Sequence, residues 1–172
     1  MASNAQGEPL EIERKYLIRR PTEELLREKS SRRIEIRQTY LLPGPQGENR
    51  RVRRSRSRGE EHWYYTEKLR QSDLVRIERE REIGPGEAQE LLREADPARR
   101  SIEKTRWCVP YGGHTLEIDI FPFWRRQAFC EVEMESAEEE TPLPPWMELL
   151  REVTTDRRYT NSALALECPP ED

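Results

Sequence analysis

The strongest restriction on the fold comes from residues 10–18, where charged and apolar side chains alternate. Side chains of a β-strand point alternately to its two faces, so Glu11, Glu13 and Lys15 share one face and mainly apolar residues share the other. Successive residues on one face are roughly 6.5 Å apart, which lets two carboxylates hold a divalent cation with help from neighbouring strands. A fold that contains this strand must accommodate a charged face as well as an apolar one.

The same alternation recurs along most of the chain. Further strands are predicted at residues 34–42, 50–58, 62–69, 75–83, 100–110, 115–121 and 129–135, with tight turns at Gly59-Glu60 and Gly112-Gly113. Short helices are predicted at about residues 19–27, 87–95, 146–153 and 159–166. Helices packed on the outside of a closed sheet would cover its apolar face and leave the charged face inside. We therefore predict an α+β fold: an eight-stranded antiparallel β-barrel, or tunnel, with a charged lumen and helices packed outside.

Composition favours a folded protein with charge placed inside it. Hydrophobic residues make up 34% of the 172 residues and charged residues 37%, and the 30 basic and 34 acidic side chains are interleaved along periodic apolar positions. We expect one domain at residues 10–166, with a disordered or foreign N-terminal extension at residues 1–9 and a tail at residues 167–172. The formal net charge of −4 argues against broad affinity for nucleic acid or for an anionic membrane.

The cysteines and the apolar runs bear on location. Cys108, Cys130 and Cys168 are widely spaced and include no Cys-x-x-Cys pair, so neither a disulfide framework nor a thiolate zinc site is predicted. No apolar run is long enough to span a bilayer, and residues 1–9 lack the pattern of a signal peptide. These features predict a cytoplasmic protein.

The charged faces, taken together, indicate a ligand that carries both charges. Carboxylates crowded on facing strands cannot all stay ionised without a cation, and oxygen ligands favour Mg²⁺ or Mn²⁺. Basic side chains on the other strands would repel one another in the same way without a polyanion between them. A metal-chelated polyphosphate satisfies both groups, because Lys and Arg bind phosphoryl oxygens while carboxylates bind the metal.

These motifs resemble a known family, the CYTH domain of the triphosphate tunnel metalloenzymes. The resemblance runs in order from about residue 10 to residue 166 and includes a closing segment at residues 152–161. The residues that carry it are Glu11-x-Glu13-x-Lys15, Arg51-x-Arg53, Lys68, Arg76-x-Glu78-x-Glu80, Lys104-x-Arg106, Glu117-x-Asp119 and Glu131-x-Glu133. Family members form an eight-stranded tunnel and act on triphosphate substrates with a divalent metal. The resemblance therefore implies a metal-dependent enzyme with Mg²⁺ or Mn²⁺ as cofactor.

The resemblance also assigns roles by position. It implies metal binding by Glu11, Glu13, Glu131 and Glu133, with Glu78, Glu80, Glu117 and Asp119 as supporting acids. It implies triphosphate binding by Lys15, Arg51, Arg53, Lys68, Arg76 and Arg106. Lys104 with Tyr40 matches the lysine and tyrosine that help to activate water in hydrolytic members; the alternative is that Lys104 is one more phosphate ligand. Glu135 extends the acidic face, so the pair on the last strand could shift by two residues without changing face.

The favoured activity is hydrolysis of inorganic tripolyphosphate to pyrophosphate and phosphate, with a small-molecule substrate and no membrane partner. An adenylyl cyclase of the same family, or a thiamine triphosphatase, uses the same metals and is left open, as is a homodimer. An alternative of another class is a non-catalytic binder of polyphosphate or nucleic acid, suggested by the basic run at residues 50–58. The acidic balance of the whole chain argues against nucleic acid.

Overall fold

The computed structural model describes residues 2–172, most of which form a single β-sheet closed into a barrel. The strands are β1 (Ala2–Ser3), β2 (Pro9–Arg19), β3 (Arg32–Tyr40), β4 (Asn49–Ser57), β5 (Glu60–Arg70), β6 (Val75–Ile83), β7 (Ile102–Tyr111), β8 (His114–Ile120), β9 (Gln127–Glu133) and β10 (Leu149–Glu152). The helices are α1 (Glu23–Lys29), α2 (Pro85–Leu92) and α3 (Asn161–Leu164), with a 3-10 turn at Arg157–Tyr159 before α3.

Eight of these strands close the barrel. Their order is β2, β6, β5, β4, β3, β7, β8 and β9, and β9 returns to pair with β2, with every neighbouring pair antiparallel. At the closing seam Glu13 lies opposite Glu133 and Lys15 lies opposite Glu131. This order confirms the predicted eight-stranded antiparallel barrel. The alternation in the sequence explains it, because each strand has one face for the lumen and one for the outside.

Two tight hairpins set the register of the long strands. Arg58 and Gly59 join β4 to β5 with φ values of 53° and 77°, and Gly112 and Gly113 join β7 to β8 with φ values of 58° and 80°. Left-handed backbone at both central residues matches the twist of the flanking strands. A Cβ atom at Gly112 would also lie 3.1 Å from Pro142 Cγ, a tight contact, so the limited space adds to the conformational reason for glycine there.

The prediction of a helix at residues 146–153 was wrong, since residues 149–152 form β10. This strand pairs with the second half of β2, Glu152 lying opposite Tyr16 and Leu149 opposite Ile18. β6 covers only residues 10–12 on that edge of β2, which leaves the backbone groups further along without a partner from β6. β10 forms hydrogen bonds with these backbone groups of β2. The free energy gained by pairing them outweighs the local helix propensity of residues 149–152.

The N-terminal residues form a short hairpin, and the expectation of a disordered or foreign extension at residues 1–9 stays a prediction. β1 pairs with the start of β2, and the turn between them is closed by Asn4, whose Oδ1 accepts hydrogen bonds from the backbone N–H groups of Gln6 and Glu8. Gly7, with φ of 76°, supplies the left-handed residue that this turn needs.

Apolar side chains form three clusters around the barrel. One includes Trp107, Ile118 and Met147 on the outer face of β7, β8 and β9, and a second lies where α2 covers Val52 and Ile83. A third cluster, which we call the end cluster, contains Leu17, Tyr40, Ile102, Phe121, Trp124, Phe129, Val153, Tyr159, Leu164 and Ala165. The end cluster joins lumen-facing residues of the strands to the segment that follows β10, so apolar packing fills one end of the lumen. Within residues 2–172, no helix combines the length and the apolar character needed to cross a membrane.

Candidate active site

The charged side chains predicted from the sequence converge inside the barrel. Lys68 on β5 reaches Glu11 on β2, with Nζ 2.6 Å from the carboxylate, although β6 lies between these two strands. Arg106 on β7 is 3.7 Å from Glu131 on β9, across β8. Contacts that pass over an intervening strand are possible only on the concave side of the sheet. The lumen is therefore charged, as predicted.

Each of three predicted metal carboxylates lies beside a predicted phosphate ligand. Glu11 accepts a hydrogen bond from Lys68, and Glu13 accepts one from Arg76 at 3.2 Å. Glu131 forms an ion pair with Lys15 at 3.0 Å, and the exposed fractions of these two side chains are only 8% and 9%. The acidic and basic side chains of the lumen therefore neutralise one another. The carboxylates predicted to bind the metal are in direct contact with the basic residues predicted to bind the phosphates.

The supporting acids orient cations on the other side of the lumen. Glu80 accepts hydrogen bonds from Arg53 at 3.2 Å and from Thr66 at 2.8 Å. Asp119, fully buried, accepts two hydrogen bonds from Arg106 at 2.8 and 2.9 Å. Arg106 also pairs with Glu117, and Lys68 lies 3.9 Å from Glu78. Each of these acids thus fixes the direction of a basic side chain.

Lys104 is the most enclosed cation in this group. Its side chain is 1% exposed, and Nζ donates a hydrogen bond to Asp119 at 2.6 Å. Burial and the neighbouring Arg106 lower the pKa of Lys104 to about 8, even though Asp119 opposes the shift. A lysine with a pKa near 8 can exchange a proton at physiological pH, as a general base must.

Tyr40 and Lys104 lie on the same side of the sheet but at different heights. The Tyr40 hydroxyl accepts a hydrogen bond from Gln38 Nε2 at 3.1 Å, whereas Lys104 is held by Asp119. Lys104 lies opposite Ile36 of β3, whereas Tyr40 is itself on β3 and pairs with Arg51 of β4. Ile36 and Tyr40 are four residues apart, so their Cα atoms are separated by roughly 13 Å along the strand. The catalytic pairing of these two residues therefore stays a prediction.

The carboxylates on the β2 side are crowded, which their pKa values reflect. Burial raises the pKa of Glu13 well above its usual range, and Glu131 and Glu11 add to the shift. Burial likewise raises the pKa of Glu78 to about 7 and raises the pKa of Glu133. Glu11 differs: burial opposes ionisation, but Lys68 and the hydrogen bonds with Glu78 and Glu13 together outweigh burial and lower the pKa of Glu11. Repulsion of this kind is what a bound divalent cation would relieve.

The donors fit a hard divalent cation by their chemistry, although their present contacts are with Lys and Arg. As the side chains stand, no three acidic, histidine or cysteine groups within residues 2–172 are arranged to enclose a metal ion. Glu11 and Glu13 share a lumen face, and both point toward cations that could move to a phosphate instead. Metal binding by Glu11, Glu13, Glu131 and Glu133 remains a prediction.

A cavity of about 290 Å³ opens from the lumen beside β2, β3, β4, β5, β6 and the segment after β10. Its lining is mostly basic and polar: Glu13, Lys15, Tyr40, Asn49, Arg51, Lys68, Arg70, Arg76, Arg157, Thr160, Asn161 and Ser162. The segment after β10 forms one wall and is tied to the strand that carries the metal motif. Lys15 Nζ donates to the Tyr159 carbonyl at 3.2 Å, and the Lys15 backbone N–H donates to Thr154 Oγ1 at 3.0 Å.

A larger cavity, of about 400 Å³, lies mainly against the outer face of β3, β4 and β7. Charged residues on that face form pairs, such as Arg56 with Glu61 at 2.5 Å and Arg37 with Glu103 at 3.7 Å. Lys104 also lines this larger cavity and not the lumen cavity, although its Nζ donates to Asp119 on the lumen side. Alternating signs on an exposed sheet give a weak field, whereas the lumen cavity concentrates one sign of charge. We therefore take the lumen cavity as the candidate active site.

Several lumen residues were not assigned a role from the sequence. Thr66 is fully buried and holds Glu80, and Gln38 is fully buried beside Tyr40. Arg157 and Asn161 form one wall of the cavity and lie in or next to the predicted helix at residues 159–166. The sequence does not indicate which part of the barrel this segment packs against. The only available signal for Gln38 and Thr66 was their place on the charged face of a strand, which is too common to single out a residue.

Comparison with known proteins agrees with this geometry. A sequence profile of the CYTH domain matches residues 9–160. The chain belongs to the CYTH domain family. Triphosphatases of this family are metal-dependent enzymes, so the CYTH assignment confirms the coarse prediction of a metal-dependent enzyme.

This CYTH protein is similar in sequence to one characterised relative and in structure to several solved proteins. An inorganic triphosphatase from Acetivibrio thermocellus is 32% identical over 156 residues, covering 90% of this chain and 92% of that protein. The crystal structure of an inorganic triphosphatase superimposes with a TM-score of 0.55 at 28% identity, covering 93% of this chain and 97% of the other. A Pyrococcus horikoshii protein superimposes with a TM-score of 0.56 at 22% identity over 74% of this chain and 80% of its own, which shows the shared fold.

Proposed function

We propose that this CYTH protein hydrolyses inorganic tripolyphosphate to pyrophosphate and phosphate, with Mg²⁺ or Mn²⁺ as cofactor. The observation that carries the proposal is the lining of the lumen cavity. Basic residues dominate it, and among the described lining residues the only aromatic side chain is Tyr40, which is 3% exposed. A nucleoside or thiamine triphosphate would bring a ring system that needs a stacking surface or an apolar pocket. An inorganic chain needs only the charges that are present.

The ion pairs of the lumen suggest how substrate enters. Lys68, Arg76 and Lys15 are each held by a carboxylate, and a triphosphate with its metal could replace all three pairs at once. The basic side chains would then bind phosphoryl oxygens, and the carboxylates Glu11, Glu13, Glu131 and Glu133 would bind the metal. A bound divalent cation supplies charge neutralisation and polarises the phosphoryl group. Little net charge is left buried without a partner at any stage, which limits the desolvation cost.

The remaining residues hold the chain and move the proton. Arg51, Arg53 and Arg106 would fix the phosphates so that the terminal phosphorus faces the attacking water. The water oxygen bonds to this phosphorus as the bridging P–O bond breaks and pyrophosphate leaves. One water proton passes to the neutral amine of Lys104, with the Tyr40 hydroxyl as a hydrogen-bond donor to the reacting phosphate.

A substrate panel tests this proposal. Tripolyphosphate, ATP and thiamine triphosphate should be assayed side by side with Mg²⁺ or Mn²⁺, with phosphate release and cyclic AMP both monitored. We expect the highest kcat/KM with tripolyphosphate and no cyclic AMP. Cyclic AMP without phosphate release would establish the cyclase alternative, and faster hydrolysis of thiamine triphosphate would establish that activity instead.

The alternative of a nucleic-acid binder loses its main support in the fold. Residues 50–57 of the basic run lie in β4, so they alternate between the lumen and the outside, and Arg58 lies in the turn that follows. Outside, Arg50 pairs with Glu94 at 3.3 Å and Arg56 pairs with Glu61 at 2.5 Å. The run therefore does not present a continuous basic arm.

Cys108, Cys130 and Cys168 are all free thiols, which supports our proposal of a reducing, cytoplasmic location.

A further inference from the structure

Gln38 is a buried polar residue on the lumen face of β3 to which no role has been given. It is 0% exposed, and its Nε2 donates a hydrogen bond to the Tyr40 hydroxyl. Its other polar atom, Oε1, is buried and has no hydrogen-bond partner within residues 2–172. An unsatisfied buried acceptor destabilises the folded protein, so its presence here needs an explanation.

A matching donor lies directly across the sheet. Gln38 on β3 is the register partner of Arg53 on β4, and side chains opposite each other on one face have Cβ atoms about 5 Å apart. Arg53 donates through Nη2 to Glu80, while its Nε is buried and likewise without a partner in the described chain. One unpaired acceptor and one unpaired donor on facing residues form the two ends of a site for a single water molecule, which would accept from Arg53 Nε and donate to Gln38 Oε1.

The direction of the amide follows from its surroundings. Arg53 is opposite Gln38, and Arg51 is opposite Tyr40, so the neighbours on β4 are hydrogen-bond donors. With the amide turned around, the Gln38 NH₂ group would face donors and find no acceptor. With Nε2 held by Tyr40, the carbonyl oxygen faces the position of the water.

We propose that Gln38 is a catalytic residue whose Oε1 accepts a hydrogen bond from the water that attacks the terminal phosphoryl group. This inference rests on the proposed function, in which Arg53 binds the phosphate chain and so brings the phosphorus next to this water. The water oxygen bonds to the terminal phosphorus, the bridging P–O bond breaks with release of pyrophosphate, and one water proton passes to Lys104. A neutral amide suits the task, because it orients the water without adding negative charge beside a polyanion.

The test compares two substitutions at Gln38 with one at Gln127. Gln38→Met keeps the length and the burial of the side chain but removes the acceptor, so kcat for tripolyphosphate should fall at least about tenfold while KM changes less than about threefold. Gln38→Glu keeps an acceptor and adds charge, so KM should rise while kcat stays above that of Gln38→Met. Gln127→Met is the matched control, because Gln127 is also 0% exposed but its Oε1 accepts from the Asp172 backbone N–H at the filled end of the barrel. Its kcat should stay at the wild-type value.

The inference is overturned if kcat of Gln38→Met lies within twofold of Gln127→Met, or if the whole loss is in KM. Should Gln38→Met not fold, Gln38→Glu decides: a kcat more than about tenfold below wild type contradicts the role of the acceptor. Wild-type activity separates the two proposals. An active wild type with an unaffected Gln38→Met removes only the role of Gln38, whereas an inactive wild type removes the proposed function and this inference with it.

Discussion

At the scale of single residues, acidic and basic side chains of the lumen pair with one another. The pairs Glu11 with Lys68 and Glu13 with Arg76 join an implied metal ligand to an implied phosphate ligand. In our proposal, each carboxylate exchanges this cation of the protein for a metal when substrate binds. Removal of one carboxylate should therefore affect turnover much more than the fold.

We expect Glu11→Gln to lower kcat/KM for tripolyphosphate at least about 100-fold, because the amide can no longer bind a divalent metal as a charged ligand. Circular dichroism should show an unchanged fold. Glu35→Gln is the control, since Glu35 is exposed and pairs with Arg33 on the outside of β3. Full activity of Glu11→Gln would refute the assignment of metal ligands on β2.

The lowered pKa of Lys104 predicts the pH dependence of turnover. Burial and Arg106 bring this pKa to about 8, so the neutral amine, which we propose as the acceptor of the water proton, becomes more populated from pH 6 to 8. In that range log kcat should rise with pH with a slope near one, and it should level off above about pH 8. Lys104→Arg stays protonated throughout, so its kcat should be low and should lack this rise. A profile that falls between pH 6 and 8 would contradict the role as base and favour Lys104 as a phosphate ligand.

At the scale of elements, the chain after β10 decides the shape of the lumen. Tyr159, Leu164 and Ala165 pack into the end cluster, and the same segment places Arg157 and Asn161 in the cavity wall. This part of the chain thus fills one end of the barrel and borders the site. Its packing should contribute to stability in proportion to the area that it buries.

Leu164→Ala should lower the free energy of unfolding by about 2–4 kcal/mol, because Leu164 is 1% exposed and its truncation leaves a cavity in the end cluster. Leu166→Ala, two residues further on and 53% exposed, should change it by less than about 0.5 kcal/mol. Urea unfolding of the two variants measures both. Equal effects would mean that this segment is not packed against the barrel as described.

The elements also show what sequence can and cannot predict here. Strand faces follow from a local period of two, so the faces of Glu11, Arg51 and Lys104 were predictable from neighbouring residues alone. β10 was missed because its strand conformation depends on a free edge of β2, which lies more than a hundred residues earlier. The hairpin of β1 with β2 was missed because a two-residue strand gives no periodic signal.

At the scale of the whole molecule, closure of the sheet turns weak local motifs into one site. The sequence predicted which charges share the lumen, since eight alternating strands must place one face inside. It did not predict that Lys68 would cross to Glu11, nor that Gln38 and Arg53 would face each other with unpaired atoms. Those relations depend on strand order and register, which are set by contacts distant in sequence.

The central claim is that this lumen cleaves a metal-bound tripolyphosphate at its end. The most direct measurement is ³¹P NMR of tripolyphosphate incubated with Mg²⁺ and either the wild type or Glu13→Gln. The account predicts that the wild type converts tripolyphosphate into pyrophosphate and phosphate in equal amounts, that chelation of the metal stops the reaction, and that Glu13→Gln leaves the substrate intact. Unchanged tripolyphosphate with the wild type, or equal conversion by Glu13→Gln, would contradict it.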